Sequence, residues 1–164
     1  MTHANVLTVG IGSPHGDDQA GWLVAERLAA DPQHHRIAIR QAASPAELLD
    51  WLDGVDCLIV CDACRGLGRV GALRRWTWPA RALADASWSG SHDFSLTTAL
   101  QLAERLGRLP PRVVIWSVEA AAGKAFGAPS PEVAAALPRL VARLTDEIGC
   151  CALSRDEPCT NSPS

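Results

Sequence analysis

The sequence predicts an α/β protein with a single domain: a three-layer αβα sandwich around a mostly parallel, twisted sheet of about five strands. Two observations support this prediction. Short apolar segments with strand character alternate with segments of helical periodicity. A length of 164 residues with 48% hydrophobic composition suits one hydrophobic core. We expect the domain to span residues 1–149 and residues 150–164 to form a flexible tail, because the periodicity ends at Gly149.

Composition and charge argue against several classes of function. The formal net charge of -3 provides no basic surface for nucleic acid or for an anionic membrane. No apolar run reaches the roughly 20 residues that span a membrane, and the N-terminus lacks the pattern of a secretory signal. We therefore expect a cytoplasmic protein, in which the six cysteines are reduced.

The first half of the chain alternates strand and helix signals. Residues 5–10 form a short apolar run, and residues 18–30 repeat apolar side chains at helical spacing. Residues 36–41 alternate polar and apolar side chains as a strand does. The sequence SPAE at residues 44–47 then supplies an N-cap, a helix-opening proline and a capping-box glutamate. Residues 56–61 form an apolar run typical of a central parallel strand.

The second half continues the alternation. Residues 71–78 are rich in strand-forming side chains but carry two arginines, which predicts a strand at the edge of the sheet. The leucine spacing at residues 93–106 predicts an amphipathic helix, and residues 112–118 predict another buried strand. A last helix opens with Ser130 and a proline. Strands that alternate with helices in this way favour a parallel sheet with a site at the carboxyl ends of its strands.

The turn after the first strand, GIGSPHGDD at residues 10–18, resembles a dinucleotide-binding turn only in part. Its third glycine is displaced from the G-x-G-x-x-G spacing, and two aspartates stand where a phosphate would meet the helix. We interpret Asp17 as an N-cap. Asp18 can be either a carboxylate favoured by the helix dipole or a ligand at the rim of the sheet.

Two further side chains are predicted at the same rim. Asp62 follows the apolar strand at residues 56–61, and His92 precedes a later helix. Cys61 and Cys64 flank Asp62, but no second cysteine pair lies nearby in the sequence, so packing is a better interpretation than zinc or redox chemistry. Two carboxylates and one imidazole around a common point would form a metal site with open positions, and we predict that Asp18, Asp62 and His92 form it.

The motifs at these positions resemble those of the hydrogenase maturation protease family. The resemblance spans residues 5 to 148 and keeps the order of the family's motifs. The segments that carry it are GIGSP with GDD and Gly21 in the first turn, IVCDA at residues 59–63, SHDFSL at residues 91–96, Val118-Glu119 and Leu137-Pro138. The resemblance implies that Asp18, Asp62 and His92 are metal ligands and also the catalytic residues.

The resemblance also implies a substrate and a cofactor. Members of the family act on the precursor of a [NiFe] hydrogenase large subunit, from which they remove a C-terminal extension after nickel insertion. On this basis we expect a metal-dependent endopeptidase whose nickel arrives with the precursor, although cadmium or zinc can occupy such a site in vitro. No G-x-S-x-G turn and no H-E-x-x-H helix offers a different hydrolytic centre.

The chain departs from the family pattern in its first turn and after the second strand. The first turn is one residue shorter than usual, with Ser13 where asparagine is frequent. QAAS at residues 41–44 replaces a glycine-rich stretch, which is consistent with a different group of hydrogenases. Two other classes of function stay open: a nickel-binding assembly factor without activity, and a dinucleotide-binding α/β enzyme.

Overall fold

The computed structural model describes residues 3–88, 94–123 and 126–153. Within these ranges six strands form one sheet with α-helices packed against it. None of the described helices is long and apolar enough to cross a membrane. The elements in chain order are β1 (Val6–Ile11), α1 (Ala20–Ala30), β2 (Ala38–Ala42), β3 (Cys57–Arg65), β4 (Leu73–Thr77), β5 (Ser87–Trp88), α2 (Leu96–Arg105), β6 (Arg112–Glu119) and α3 (Pro131–Leu153).

The sheet is mostly parallel, as the sequence predicts. Its order is β2-β1-β3-β6-β4, and only β4 runs antiparallel along this path. β4 lies at the edge, which confirms the position expected from its two arginines. The short β5 pairs antiparallel with the end of β3 and was not predicted, because two residues carry no periodic signal. The carboxyl ends of β1, β3 and β6 therefore meet at one edge of the sheet.

Helices cover both faces of the sheet, which agrees with the predicted αβα layers. On one face Ile59 packs in a cluster with side chains of α1 and α3. On the other face Val60 packs in a cluster with side chains of α2 and of the 3-10 helix Pro45–Asp50. Because successive side chains of a strand point to opposite faces, the odd positions of β3 face α1 and α3, and the even positions face α2.

Two predicted helices differ from the observed ones in type. The segment opened by Ser44 has the predicted capping box with Glu47, but it forms the 3-10 helix Pro45–Asp50. The helix predicted from residue 18 begins as α-helix only at Ala20, after the 3-10 helix Gly16–Gln19. Both segments are short connections, in which the tighter 3-10 turn is common.

The last helix is longer than predicted, since α3 continues past Gly149 to Leu153. Cys151 lies one helical turn beyond the buried Ile148 and is itself completely buried, whereas Gly149 is exposed. The thiol of Cys57 donates to Cys151, with 2.7 Å between the two sulfur atoms. The helix therefore extends four residues past the predicted end of the domain at residue 149, while residues 154–164 lie outside the described ranges.

Among the described residues, the cysteines depart from the sequence-based expectation at Cys150. Four of those in the described ranges, namely Cys57, Cys61, Cys64 and Cys151, are free and buried. Cys150, in contrast, is disulfide-bonded. The expectation of reduced thiols is therefore wrong at Cys150, which the composition argument could not separate from its neighbours.

Candidate functional site

Asp62 lies at the carboxyl edge of the sheet but inside β3, not after it as predicted. The strand continues to Arg65 because it pairs with β6 as far as Cys64 and also with β5. Asp62 is completely buried and stands opposite Ser117 in the register of the two strands. Its even position in β3 places it on the same face as Val60, toward α2.

Asp18 is almost completely buried in the 3-10 helix that connects β1 to α1. Its Oδ1 accepts a hydrogen bond of 2.9 Å from Nη2 of Arg65, the last residue of β3. The side chain of Arg65 is 26% exposed and that of Asp18 11%. Sequence reasoning missed Arg65, because an arginine that follows a buried strand looks like an ordinary solvated charge.

Gly12 explains part of the glycine-rich first turn. A Cβ atom at this position would lie 2.4 Å from the backbone oxygen of Asp18, so only glycine lets the 3-10 helix pack against the end of β1. The same oxygen accepts a hydrogen bond of 3.0 Å from the backbone N–H of Ser13. The space above Gly12 is thus filled by the chain itself, which counts against a pyrophosphate-binding turn.

Asp17 has a structural role, although not as the predicted N-cap. The N-cap position of its 3-10 helix is His15, and no side chain caps the helix. The carboxylate of Asp17 instead accepts hydrogen bonds from the backbone N–H of Ala121 at 2.8 Å and of Ser130 at 2.6 Å. The hydroxyl of Ser130 donates a third bond at 3.0 Å. These contacts tie the first turn to the segment between β6 and α3.

The cysteines beside Asp62 are packing residues, as the sequence predicts. Burial raises the pKa of the Cys64 thiol to about 12, and its sulfur donates to Ser117 Oγ at 3.3 Å. Burial, followed by the negative charge of Asp62, also raises the pKa of Cys61. Both side chains therefore remain thiols at neutral pH, and neither has the thiolate character of a nucleophile or a metal ligand.

Glu119, at the end of β6, shapes the loop that leaves β3. Its Oε1 accepts hydrogen bonds from the backbone N–H groups of Gly66 at 2.7 Å and of Leu67 at 3.2 Å. The carboxylate also lies within 3.6 Å of the Cys64 sulfur. Glu119 therefore holds the chain directly after Arg65, and so helps to fix the position of the Arg65 backbone.

The predicted third ligand, His92, lies outside the described residues, as does the whole segment 89–93. In the ranges that the structure describes, no group of three or more histidine, cysteine or acidic side chains is arranged to hold a metal ion. The convergence of Asp18, Asp62 and His92 therefore stays a prediction. Their donor chemistry suits a divalent ion, because carboxylate oxygens and an imidazole nitrogen are common ligands of such ions.

The first turn also carries an aromatic contact at its surface. The ring of His15 meets the ring of Phe126 edge to face, with 5.6 Å between their centroids. Phe126 is 85% exposed. The next residue, Gly127, accepts a backbone hydrogen bond of 3.0 Å from Gly16. These two contacts join the first turn, which carries Asp18, to residues 126 and 127.

Comparison with family models gives one match relevant to this site. The model described as hydrogenase maturation protease matches residues 24–147. This range contains Asp62 and His92, while Asp18 lies before it. Comparison with curated proteins gives no match.

Several solved structures share the fold. The hydrogenase 2 maturation peptidase from a Thaumarchaeota archaeon has a TM-score of 0.65 at 24% identity, covering 88% of this chain and 98% of its own. The hydrogenase maturating endopeptidase HybD from E. coli has a TM-score of 0.71 at 16% identity, covering 88% and 92%. The endopeptidase HycI from Escherichia coli has a TM-score of 0.68 at 18% identity, covering 94% and 99%. At these identities the likeness establishes the fold.

Proposed function

Because the chain belongs to the hydrogenase maturation protease family, we propose that it removes the C-terminal extension of a [NiFe] hydrogenase large-subunit precursor. Membership in the family assigns it an endopeptidase role in hydrogenase maturation. We propose the precursor as its substrate and nickel as a requirement of the reaction. We further propose that the reaction takes place in the cytoplasm, where the chain would meet a newly made precursor.

The observation that supports this proposal is the pair of buried carboxylates at the carboxyl edge of the sheet. Asp62 is completely buried and Asp18 is 8% exposed. A buried carboxylate is costly unless a cation or hydrogen-bond donors compensate its charge, so such residues commonly mark a functional site. The edge where these two lie is also where open α/β sheets bind ligands.

We propose that nickel reaches this edge as part of the precursor, and that Asp18, Asp62 and His92 supply ligands to it there. A metal ion in such a site supplies Lewis acidity for the scissile carbonyl or for a water molecule. Asp62 would contribute a carboxylate fixed by the central strand, and Asp18 one fixed by the 3-10 helix. The raised pKa of Cys64, which burial causes, argues against this thiol as an alternative nucleophile.

The test is a processing assay with a purified precursor, in metal-free and nickel-loaded forms, followed by mass measurement. We expect the loaded precursor to lose the mass of its C-terminal peptide and the metal-free precursor to stay intact. Asp62→Asn, Asp18→Asn and His92→Ala should each abolish the mass loss and leave the circular dichroism spectrum unchanged. Asp146→Asn, at an exposed acidic position of α3, is the matched control and should process normally.

Two results would contradict the proposal. Cleavage of the metal-free precursor at the same rate as the loaded precursor would show that the reaction does not need nickel. Normal processing by Asp62→Asn would show that Asp62, the central residue of the proposal, is not needed for cleavage. Nickel-loaded precursor that binds the protein and stays uncut would favour a non-enzymatic assembly factor.

A further inference from the structure

Arg65 connects three parts of the molecule at the carboxyl edge. It is the last residue of β3, its Nη2 donates to Asp18 Oδ1 at 2.9 Å, and its Nε donates to the backbone oxygen of Ala121 at 3.0 Å. The N–H of the same Ala121 is held by Asp17 at 2.8 Å. The guanidinium is therefore held on two sides by groups that are themselves fixed, and it directs one positive charge at the Asp18 carboxylate.

The charge of Arg65 changes the electrostatics of the candidate site. Without it, the carboxylate of Asp18 would be an uncompensated negative charge at the edge of the sheet that also carries the completely buried Asp62. With it, the charge of Asp18 is compensated inside the protein. Charges at contact distance interact strongly where burial limits solvent screening, so this compensation affects every ion that approaches.

We propose that Arg65 is a specificity-determining residue, which disfavours free divalent ions and favours a metal ion already bound by anionic ligands of a precursor. This inference rests on the proposed function. A free divalent ion carries its full charge to Asp18 and is repelled by the guanidinium. A metal ion that arrives with anionic protein ligands has little or no net positive charge, so Arg65 does not repel it and attracts its ligands.

The contact between Arg65 and Asp18 can also be exchanged for a contact between Asp18 and a metal ion. When a metal ion binds Asp18, the guanidinium can release Oδ1 and keep its hydrogen bond to Ala121, because separate nitrogens make the two contacts. Arg65 is partly exposed, so water and ligand groups can reach it. It acts through Asp18 and on the ligands of the metal, and has no part in proton transfer.

The test is calorimetric titration of the purified full chain with nickel chloride and, separately, cadmium chloride. Arg65→Gln removes the charge and keeps a donor for Ala121, so it should bind free nickel about tenfold more tightly or better than the unsubstituted protein. Arg65→Met serves as a second variant without charge. Arg65→Lys keeps the charge and should bind free nickel as weakly as the unsubstituted protein.

Arg108→Gln is the matched control, because Arg108 pairs with Asp53 at 3.0 Å on an exposed surface. It should leave nickel affinity unchanged. The double variant Arg65→Gln with Asp18→Asn should lose the gain, since the effect acts through Asp18. Unchanged or weaker nickel binding by both Arg65→Gln and Arg65→Met, each with a native circular dichroism spectrum, overturns the inference.

A second experiment, which uses the processing assay, separates this inference from the proposed function. Free nickel added to the loaded-precursor assay should inhibit Arg65→Gln at about tenfold lower concentration than it inhibits the unsubstituted protein. Equal sensitivity would count against the role of Arg65. If the unsubstituted protein leaves nickel-loaded precursor uncut, the proposed function fails, and the titration still reports what Arg65 does to free ions.

Discussion

The Arg75–Glu147 pair lies between the sheet and α3, whereas the Arg65–Asp18 pair lies at the carboxyl edge of the sheet. Both join an arginine of a strand to a carboxylate of a helix. Glu147 accepts two hydrogen bonds from Arg75, at 2.8 and 2.9 Å, and one from Trp116 at 3.3 Å. Asp18 accepts a single hydrogen bond from Arg65.

The difference shows how the surroundings decide what an ion pair does. Burial raises the pKa of Glu147, but the hydrogen bonds and charge of Arg75, with Trp116 and Arg112, outweigh it and hold the pKa below its ordinary value. A carboxylate with both oxygens engaged joins β4 and β6 to α3 and has no capacity for a ligand. A carboxylate held through one oxygen at the site edge can exchange its partner.

The largest effect should follow from removing the Glu147 carboxylate. Glu147→Ala removes the carboxylate that Arg75 and Arg112 share, and the side chains of these arginines are only 21% and 18% exposed. Loss of one partner from a buried ion pair is strongly destabilising, and the partial exposure of the arginines places the cost at about 3 kcal/mol. Urea denaturation measures it. Asp146→Ala, at an exposed acidic position of the same helix, should change the free energy of unfolding by less than about 0.5 kcal/mol.

A smaller loss is expected where α1 meets the sheet. A Cβ atom at Gly21 would lie 2.0 Å from the backbone oxygen of Ile11 and 2.7 Å from that of Cys61. Gly21→Ala should therefore push α1, together with the 3-10 helix that carries Asp18, away from β3, at a cost of about 2 kcal/mol. Gly149→Ala is the control, because its Cβ meets nothing within 4 Å, and it should be neutral or slightly stabilising. Equal stability of the two variants would show that α1 can adjust its approach.

The fold and the Arg75–Glu147 pair show what could be predicted from the sequence and what could not. The alternation of strands and helices reflects periodicity, which is local, so the fold class and the edge position of β4 were predictable. The Arg75–Glu147 pair spans 72 residues and depends on how β4 lies under α3, so the sequence around Arg75 indicates only a solvated charge of an edge strand.

The candidate site divides in the same way. The positions of Asp18 and Asp62 near the carboxyl edge of the sheet were predictable, because each comes close to a recognisable element and matches a motif, while their role as ligands stays a prediction. The position of Arg65 was not, because its partner lies 47 residues away and nothing local distinguishes it from a surface arginine. β3 extends past its predicted end for a related reason: the pairing with β6 and β5 that carries it beyond Asp62 is long-range.

The pH dependence of stability should report the contribution of the Arg75–Glu147 pair. Because the pKa of Glu147 is lowered on folding, its contribution is fully present above its ordinary value of 4.5 and is lost as the pH falls through the lower value in the folded protein. The difference in unfolding free energy between the unsubstituted protein and Glu147→Gln should therefore be constant from pH 7 to about pH 5 and shrink toward pH 3. A difference that grows on acidification would reverse the assigned direction of the pKa shift.

The smallest effect on stability is expected at Arg65. Its pair with Asp18 is partly exposed and uses one hydrogen bond, and such pairs contribute little, so Arg65→Gln should lower the free energy of unfolding by about 0.5 kcal/mol. Urea denaturation at low and high salt measures this, with Glu147→Gln beside it. A loss as large as that of Glu147→Gln would make Arg65 a structural residue like Arg75. A small loss together with a large change in nickel affinity is the combination that a structural role cannot produce, because an arginine that mainly stabilises the fold would affect stability first.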